Sequence, residues 1–314
     1  MTRSLANCLS CLALTSALAA DLRLGIIGTD TSHAVAFTQI FNDPSRPDHV
    51  PGARVVAAYK GGSSDIEASW SRVDKFAAEL ESRWNVELVS DIPTLCSKVD
   101  GVLLETNDGR RHLDQAKQVI AAGKPVFIDK PLASTLADAR EIARLATEAG
   151  VPWFSSSSAR FGGIAAAMKF PDSTGAIVWG PGPLEEHHQL ELSWYAIHSV
   201  ELLYTLLGTG CEQVSWIYTP QHDVVVGRWK DGRLGTLRLD RSGWATGAVV
   251  FRPKQVVQSD PTMSGGYAPL LRELVNFFRT GRPPVRSDET LEIFAFMDAA
   301  QRSKAAGGRP MALR

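Results

Sequence analysis

Only four cysteines occur among 314 residues, too few for a scaffold built on disulfides. Net charge is nearly absent as well: 33 Lys and Arg stand against 34 Asp and Glu, leaving -1. Without a basic excess no field exists to hold phosphates, so neither nucleic acid nor an anionic membrane surface is expected as a partner. The chain has no internal repeat, no low-complexity tract and no apolar run long enough for a comfortable permanent span of a bilayer. What remains is an ordinary globular mix, 44% hydrophobic and 21% charged. At roughly 100–200 residues per domain, the length suggests two domains with a large core.

The first twenty residues stand apart. Met1 to Ala20 carries one charge, Arg3, followed by an apolar run from Leu5 to Leu18 and a small-x-small end, Ala17-Leu18-Ala19, before Asp21. That pattern predicts a cleaved export signal over 1–20, of the general secretory type because no twin-Arg pair precedes the run. A periplasmic or secreted protein is then expected, with no stable membrane span after cleavage. If the segment is retained as an apolar extension, the expected place is the cytoplasm. Cys8 and Cys11 would leave with the signal, and Cys96 and Cys211 would stay, paired or free.

From Leu22 onward short apolar runs alternate with amphipathic stretches. Strands are expected at Leu22–Gly28, Arg54–Tyr59, Gly101–Glu105 and Val126–Ile128. Helices are expected at Ala34–Phe41, along Trp70, Val73, Phe76, Ala77 and Leu80, from His112 to Gly123, and from the capping box Thr135/Asp138 to Gly150. This rhythm predicts an α/β fold: a doubly wound parallel sheet over 21–150. Beyond it, Trp216–Tyr218, Val224–Trp229, Gly235–Leu239 and Thr246–Phe251 are separated by Asp231-Gly232 and Ser242-Gly243. Those turns predict hairpins, hence an α+β domain over 151–314 with a mainly antiparallel sheet, closed by helices Leu270–Arg279 and Thr290–Ala306.

The first strand runs into Gly28-Thr29-Asp30-Thr31-Ser32-His33-Ala34. A dinucleotide site needs a tight turn there, with helix N-terminal amides facing a diphosphate. Gly28 suits the turn, Asp30 and His33 stand where the next two glycines of the usual fingerprint would be, and Thr29, Thr31 and Ser32 offer hydroxyls. Asp30 would repel a diphosphate unless it turns away to cap the helix. A plain strand–turn–helix with a good N-cap explains the same residues. At the end of the second strand Lys60 either meets a ribose phosphate, which would favour NADP, or is a solvated lysine.

Gly123-Lys124-Pro125-Val126-Phe127-Ile128-Asp129-Lys130-Pro131-Leu132-Ala133 resembles the Glu-Lys-Pro signature of the Gfo/Idh/MocA oxidoreductases, the glucose–fructose oxidoreductase and inositol dehydrogenase-like proteins, with Asp129 in place of Glu. The resemblance extends to the Leu24-Gly-Ile-Ile-Gly28 start, to Glu105-Thr106-Asn107 with His112, and to Thr280-Gly-Arg-Pro-Pro-Val285. It implies an N-terminal Rossmann-type domain and NAD or NADP held by Gly28 to His33, Lys60, Thr106, Asn107, Asp129, Lys130 and Pro131. It also implies a homodimer or higher homo-oligomer through the second-domain sheet. In that family the lysine lies near the nicotinamide and the substrate hydroxyl, so Lys130 is expected there. Chemistry agrees, because a cation lowers the pKa of a hydroxyl whose carbon is losing hydride.

Family members carry Asp-x-Gly-x-His-x-x-Asp where this chain has Trp194-Tyr195-Ala196-Ile197-His198-Ser199-Val200-Glu201. His198 matches the histidine and is the expected general base, with an ordinary imidazole pKa near the operating pH. Trp194 replaces the first acid, and Tyr195, His187 or His188 would supply the missing partner. Arg160 either binds substrate oxygens or pairs across the domains, and Glu201 matches the last acid of the motif. Adjacent His187 and His188 splay apart on a strand, so no metal site is expected from them. The function implied is a nicotinamide-dependent oxidoreductase of a small carbohydrate: a sugar, polyol or glycoside. A redox-assisted glycoside lyase or hydrolase, or an inactive carbohydrate-binding relative, are the alternatives.

Overall fold

Six short strands pair side by side, all parallel: the central ones are apolar runs buried on both faces, and helices between successive strands return the chain. The computed structural model describes residues 20–263 and 265–314, so the export-signal reading of residues 1–19 lies outside the described residues. The first half runs β1 (Leu22–Ile27), α1 (Ser32–Asn42), β2 (Ala53–Tyr59), α2 (Glu67–Trp70), α3 (Val73–Trp84) and β3 (Glu87–Val89). It continues α4 (Ile92–Lys98), β4 (Gly101–Leu104), α5 (His112–Ala121), β5 (Val126–Asp129), α6 (Leu136–Ala149) and β6 (Trp153–Ser156). Strand order is β3-β2-β1-β4-β5-β6, the doubly wound arrangement, with the direction of winding reversing between β1 and β4.

Local chemistry sets the boundaries. Thr135 accepts from Asp138 N at 3.0 Å and opens α6, a cap worth about 1 kcal/mol, and Gly150 closes it in the left-handed region. Gly28 sits at φ +96°, and a Cβ there would lie 2.4 Å from the Thr106 backbone, so only glycine lets the β1 turn meet the end of β4. The single helix expected from Trp70 to Leu80 is two, α2 and α3, broken at Ser71-Arg72. Ser71 and its neighbours end α2 by hydrogen bonds to Glu67 and Ser69, leaving Trp70 exposed.

The second half has α7 (Gly163–Met168), β7 (Gly175–Pro181), α8 (Ile197–Leu207), β8 (Cys211–Tyr218), β9 (His222–Trp229), β10 (Leu234–Asp240), β11 (Gly247–Arg252), β12 (Gln255–Gln258), α9 (Ala268–Thr280), α10 (Ser287–Ala305) and β13 (Met311–Ala312). Its sheet is ordered β12-β11-β7-β10-β9-β8-β13 and is antiparallel except for β7 beside β10. The turn at Ser242-Gly243 therefore does not make a hairpin of β10 and β11. Both pair with β7 instead, one on each side.

The first sheet continues past residue 150 through β6, and α9 returns to it, packing Leu270, Leu271, Leu274 and Phe277 against β1 and α1. On the opposite face a continuous core runs from α4, α5 and α6 through α8 and α10 into the second sheet. The two halves are thus fastened on both sides of a cleft at the carboxyl edge of the first sheet. Cys96 and Cys211 are buried free thiols and do not pair. Among the described residues no helix is long and apolar enough to cross a membrane.

Candidate active site

The cleft begins at the N-terminus of α1. Thr31 is its N-cap, accepting from His33 N at 3.3 Å, so the task expected of Asp30 falls to its neighbour. Asp30 turns inward instead. Its buried carboxylate accepts from Ser69 Oγ at 2.6 Å and from Asn107 N at 3.2 Å, joining the turn after β1 to the loop after β4. Burial pushes its pKa up, and those two donors partly offset the rise. Thr29 is also turned in, donating to Val73 O at 2.9 Å. Thr106 is buried beside Gly28. His112 is buried between the β4 loop and the turn after β5, its Nε2 2.7 Å from Thr106 O and its Nδ1 3.2 Å from Leu132 O.

β5 ends on Asp129 and delivers Lys130 to the cleft, with Pro131 buried behind it. Asp129 Oδ2 lies 2.6 Å from His33 Nδ1. Burial works against the Asp129 carboxylate, but the His33 ring and Lys130 outweigh it and hold its pKa below the usual range. The His33 ring stacks on Phe37 and meets the edge of Tyr267. Beneath them Glu105 is fully buried with neither carboxyl oxygen hydrogen-bonded, and burial together with Asp129 raises its pKa well above the ordinary value.

His198, the second residue of α8, closes the cleft from the other side. Its Nδ1 lies 2.7 Å from Ser157 Oγ, just after β6. Burial, Lys130 and His33 all oppose a further positive charge, and they push its pKa down to about 3. The expected imidazole titrating near neutrality is corrected accordingly: His198 is neutral at any working pH. Tyr195 meets His198 edge-on at 6.3 Å and Trp244 at 5.3 Å.

These groups line one cavity of about 420 Å³. Thr31, Ser32, His33 and Asn107 line it together with Lys130, Tyr195 and His198. Arg72, from the break between α2 and α3, reaches the same space, as do Glu185, which adjoins the His187-His188 pair, and Glu67 and Tyr267; Arg72, Glu67 and Tyr267 were not singled out in the sequence. Ser157 was missed too; nothing in the serine run 155–158 marks which hydroxyl meets His198.

Other expected residues lie elsewhere. Lys60 pairs with Asp74 at 2.8 Å on the surface. Arg160 is buried between Glu201 and Glu289, 2.6 Å from each, which occupies Glu201 as well. All three lie within residues 151–314, so this is not the pair across the domains, and Arg160 does not line the cavity that holds Lys130. His187 pairs with Glu185 at 2.6 Å, which raises its pKa. His188 is buried against Trp194, its Nδ1 3.2 Å from Ser193 Oγ, and burial pushes its pKa down to about 4. Neither of these two histidines lines the cavity that holds Lys130.

A nicotinamide dinucleotide fits one stretch of this cavity. The α1 amides, the Ser32 hydroxyl and the Arg72 guanidinium suit a diphosphate, and the Asp30 carboxylate that would repel it is engaged inside.

Residues 22–156 match the model of an oxidoreductase family with an NAD-binding Rossmann fold, Gfo/Idh/MocA. Inositol 2-dehydrogenase of Cereibacter sphaeroides is 34% identical over 124 residues, 38% of this chain; the match spans 31% of that enzyme's length. The solved myo-inositol dehydrogenase of Lactobacillus casei, in complex with NAD(H) and myo-inositol, is similar at 16% identity with a TM-score of 0.73, over 94% of this chain and 97% of that one. A probable dehydrogenase of Thermotoga maritima is similar at 20% identity with a TM-score of 0.71, over 93% and 99%. At these identities the two structures speak for the fold.

Proposed function

With residues 22–156 belonging to the Gfo/Idh/MocA family of NAD-binding Rossmann-fold oxidoreductases, we propose that the protein oxidises a hydroxyl of a sugar, polyol or glycoside with NAD or NADP as hydride acceptor. The observation that carries this reading is that Lys130 and His198, from different halves of the chain, face one cavity that begins at the α1 N-terminus. The curated relative's name, inositol 2-dehydrogenase, points to a cyclic polyol as the first substrate to try.

In this reading the bound nicotinamide supplies the site that accepts the hydride. Lys130 donates to the substrate oxygen and stabilises the charge that develops there. In the tautomer that carries its hydrogen on Nδ1, toward Ser157 Oγ 2.7 Å away, His198 keeps Nε2 as an acceptor for the hydroxyl proton. A neutral imidazole of low pKa is a weak base, so Lys130 must first make the hydroxyl acidic. Proton loss to His198 and hydride loss from the carbon then leave a carbonyl product. Thr31, Ser32, His33, Asn107 and Arg72 hold the dinucleotide. Tyr195 and Tyr267 wall the cavity and exclude water.

Export through residues 1–20 belongs to the same proposal, as does a homodimer formed on the second-domain sheet, where Ile217, Leu234 and Val256 are exposed. The test is a panel of cyclic polyols, free sugars and glycosides, followed by nicotinamide absorbance. Turnover that Lys130→Ala abolishes supports the reading. Turnover equal in the parent and a well-folded Lys130→Ala rejects it.

A further inference from the structure

Under the floor of the cleft three chain segments bring one imidazole and two carboxylates together. His33 Nδ1, a Glu105 oxygen and an Asp129 oxygen all lie within 4.8 Å of one another. His33 Nδ1 is 2.6 Å from Asp129 Oδ2 and 4.0 Å from Glu105 Oε2. The hydroxyl-oxidation reading uses Asp129 only as a neighbour and leaves Glu105 with no task.

Glu105 is the anomaly. Both of its oxygens lack a hydrogen-bond partner, and the side chain has no exposed surface. An unpartnered buried carboxyl costs several kcal/mol, so a fold retains one where something else satisfies it. Among the described residues no donor fills the need. The charges around it are also uneven. Asp30, Glu105 and Asp129 gather three buried carboxyl groups beside one lysine, Lys130.

We propose that His33, Glu105 and Asp129 form a binding site for a divalent first-row transition cation such as Mn²⁺ or Zn²⁺. One imidazole with two carboxylates suits that class better than Mg²⁺ or Ca²⁺, which prefer oxygen ligands throughout. Ligand bonds of about 2.0–2.2 Å place neighbouring donors about 3–4 Å apart. The two separations at His33 Nδ1, 2.6 and 4.0 Å, bracket that range, so entry of the ion requires Asp129 to withdraw by under an ångström. The His33 ring is already fixed in plane by Phe37 and Tyr267. A cation there satisfies Glu105 and braces the turn that carries Lys130. The site does not rest on the oxidoreductase reading, because an ion would bind whatever the cleft does.

The experiment uses the whole chain, dialysed against a chelator and titrated with MnCl₂ while the paramagnetic resonance signal of free Mn²⁺ is followed. The expected result is one saturable site per chain that is weakened at least tenfold in Glu105→Gln and unchanged in His187→Gln. The melting temperature should rise with MnCl₂ in the parent and not in Glu105→Gln. If that variant fails to fold, His33→Gln takes its place with the same expectation. No saturable uptake at millimolar Mn²⁺ overturns the proposal and leaves a protonated Glu105 as the neutralised form. Equal uptake by parent and Glu105→Gln overturns it by placing the ion elsewhere. These readings need no substrate and no cofactor, so failure here is distinct from failure of the oxidoreductase assignment.

Discussion

His198 directs its Nδ1 at the hydroxyl of Ser157, 2.7 Å away, so a serine from the end of the first sheet fixes the ring of a histidine on the first turn of α8. With a pKa pushed down to about 3, this imidazole stays neutral far below neutrality. The profile of kcat/KM should therefore show no acid limb between pH 6 and 7. His198→Asn should lower kcat by about 10²- to 10⁴-fold, the usual worth of a positioned proton acceptor. A limb near pH 6.5 that disappears in His198→Asn would show that the histidine titrates in the ordinary range.

Lys130→Ala should abolish turnover and leave the circular dichroism spectrum close to the parent's, because the lysine faces the cavity, while the loss of its charge beside Glu105 and Asp129 lowers the melting temperature modestly. Lys130→Arg should recover little, since a planar guanidinium cannot occupy the place of a compact ammonium. Full activity in the arginine variant would argue that only charge is needed.

His188 makes stability depend on acid. Its pKa is about 4 when folded, against about 6.5 when unfolded. Between those values the unfolded chain takes up a proton that the native chain refuses, so stability falls as pH drops through that window. The slope is roughly 1.4 kcal/mol per pH unit for one fully buried group. Urea unfolding of the parent and His188→Asn at pH 7 and pH 4.5 checks this. The parent should lose more of its pH 7 stability than the variant does. Parallel losses would show that His188 carries the same charge in both states.

Arg160 between Glu201 and Glu289 is a buried ionic cluster. Arg160→Met leaves two carboxylates facing each other without a cation, which should cost about 3–5 kcal/mol in chemical unfolding. The triple variant with Glu201→Gln and Glu289→Gln should regain most of it. A single variant as stable as the parent would mean that the cluster is solvated.

Much of the first sheet was legible because its signals are local. Thr135 and Asp138 are three residues apart, Gly123 and Gly150 follow their helices directly, and the strands are short runs between turn residues. The site was legible only where it follows a strand end, as Lys130 does, or sits in a motif, as His198 does. What stayed hidden depends on distant partners. Asp30 turns inward because Ser69 waits 39 residues on. Arg160 is committed because Glu289 lies 129 residues away. Glu105 read as the last residue of an apolar strand, and only the convergence of β4, β5 and α1 shows that it is buried beside Asp129. The parallel pair β7 and β10 was equally out of reach, since local turns announce hairpins and not crossovers.

The most direct measurement is equilibrium titration of the purified protein with NADH and NADPH, followed by tryptophan fluorescence and by calorimetry. A cavity built as described should bind one nucleotide per chain, and Arg72→Glu should weaken binding at least about tenfold, the worth of one charge-assisted phosphate contact. No saturable binding of either nucleotide at millimolar concentration, in a protein with its native circular dichroism spectrum, would contradict the assignment of this cleft to a nicotinamide cofactor.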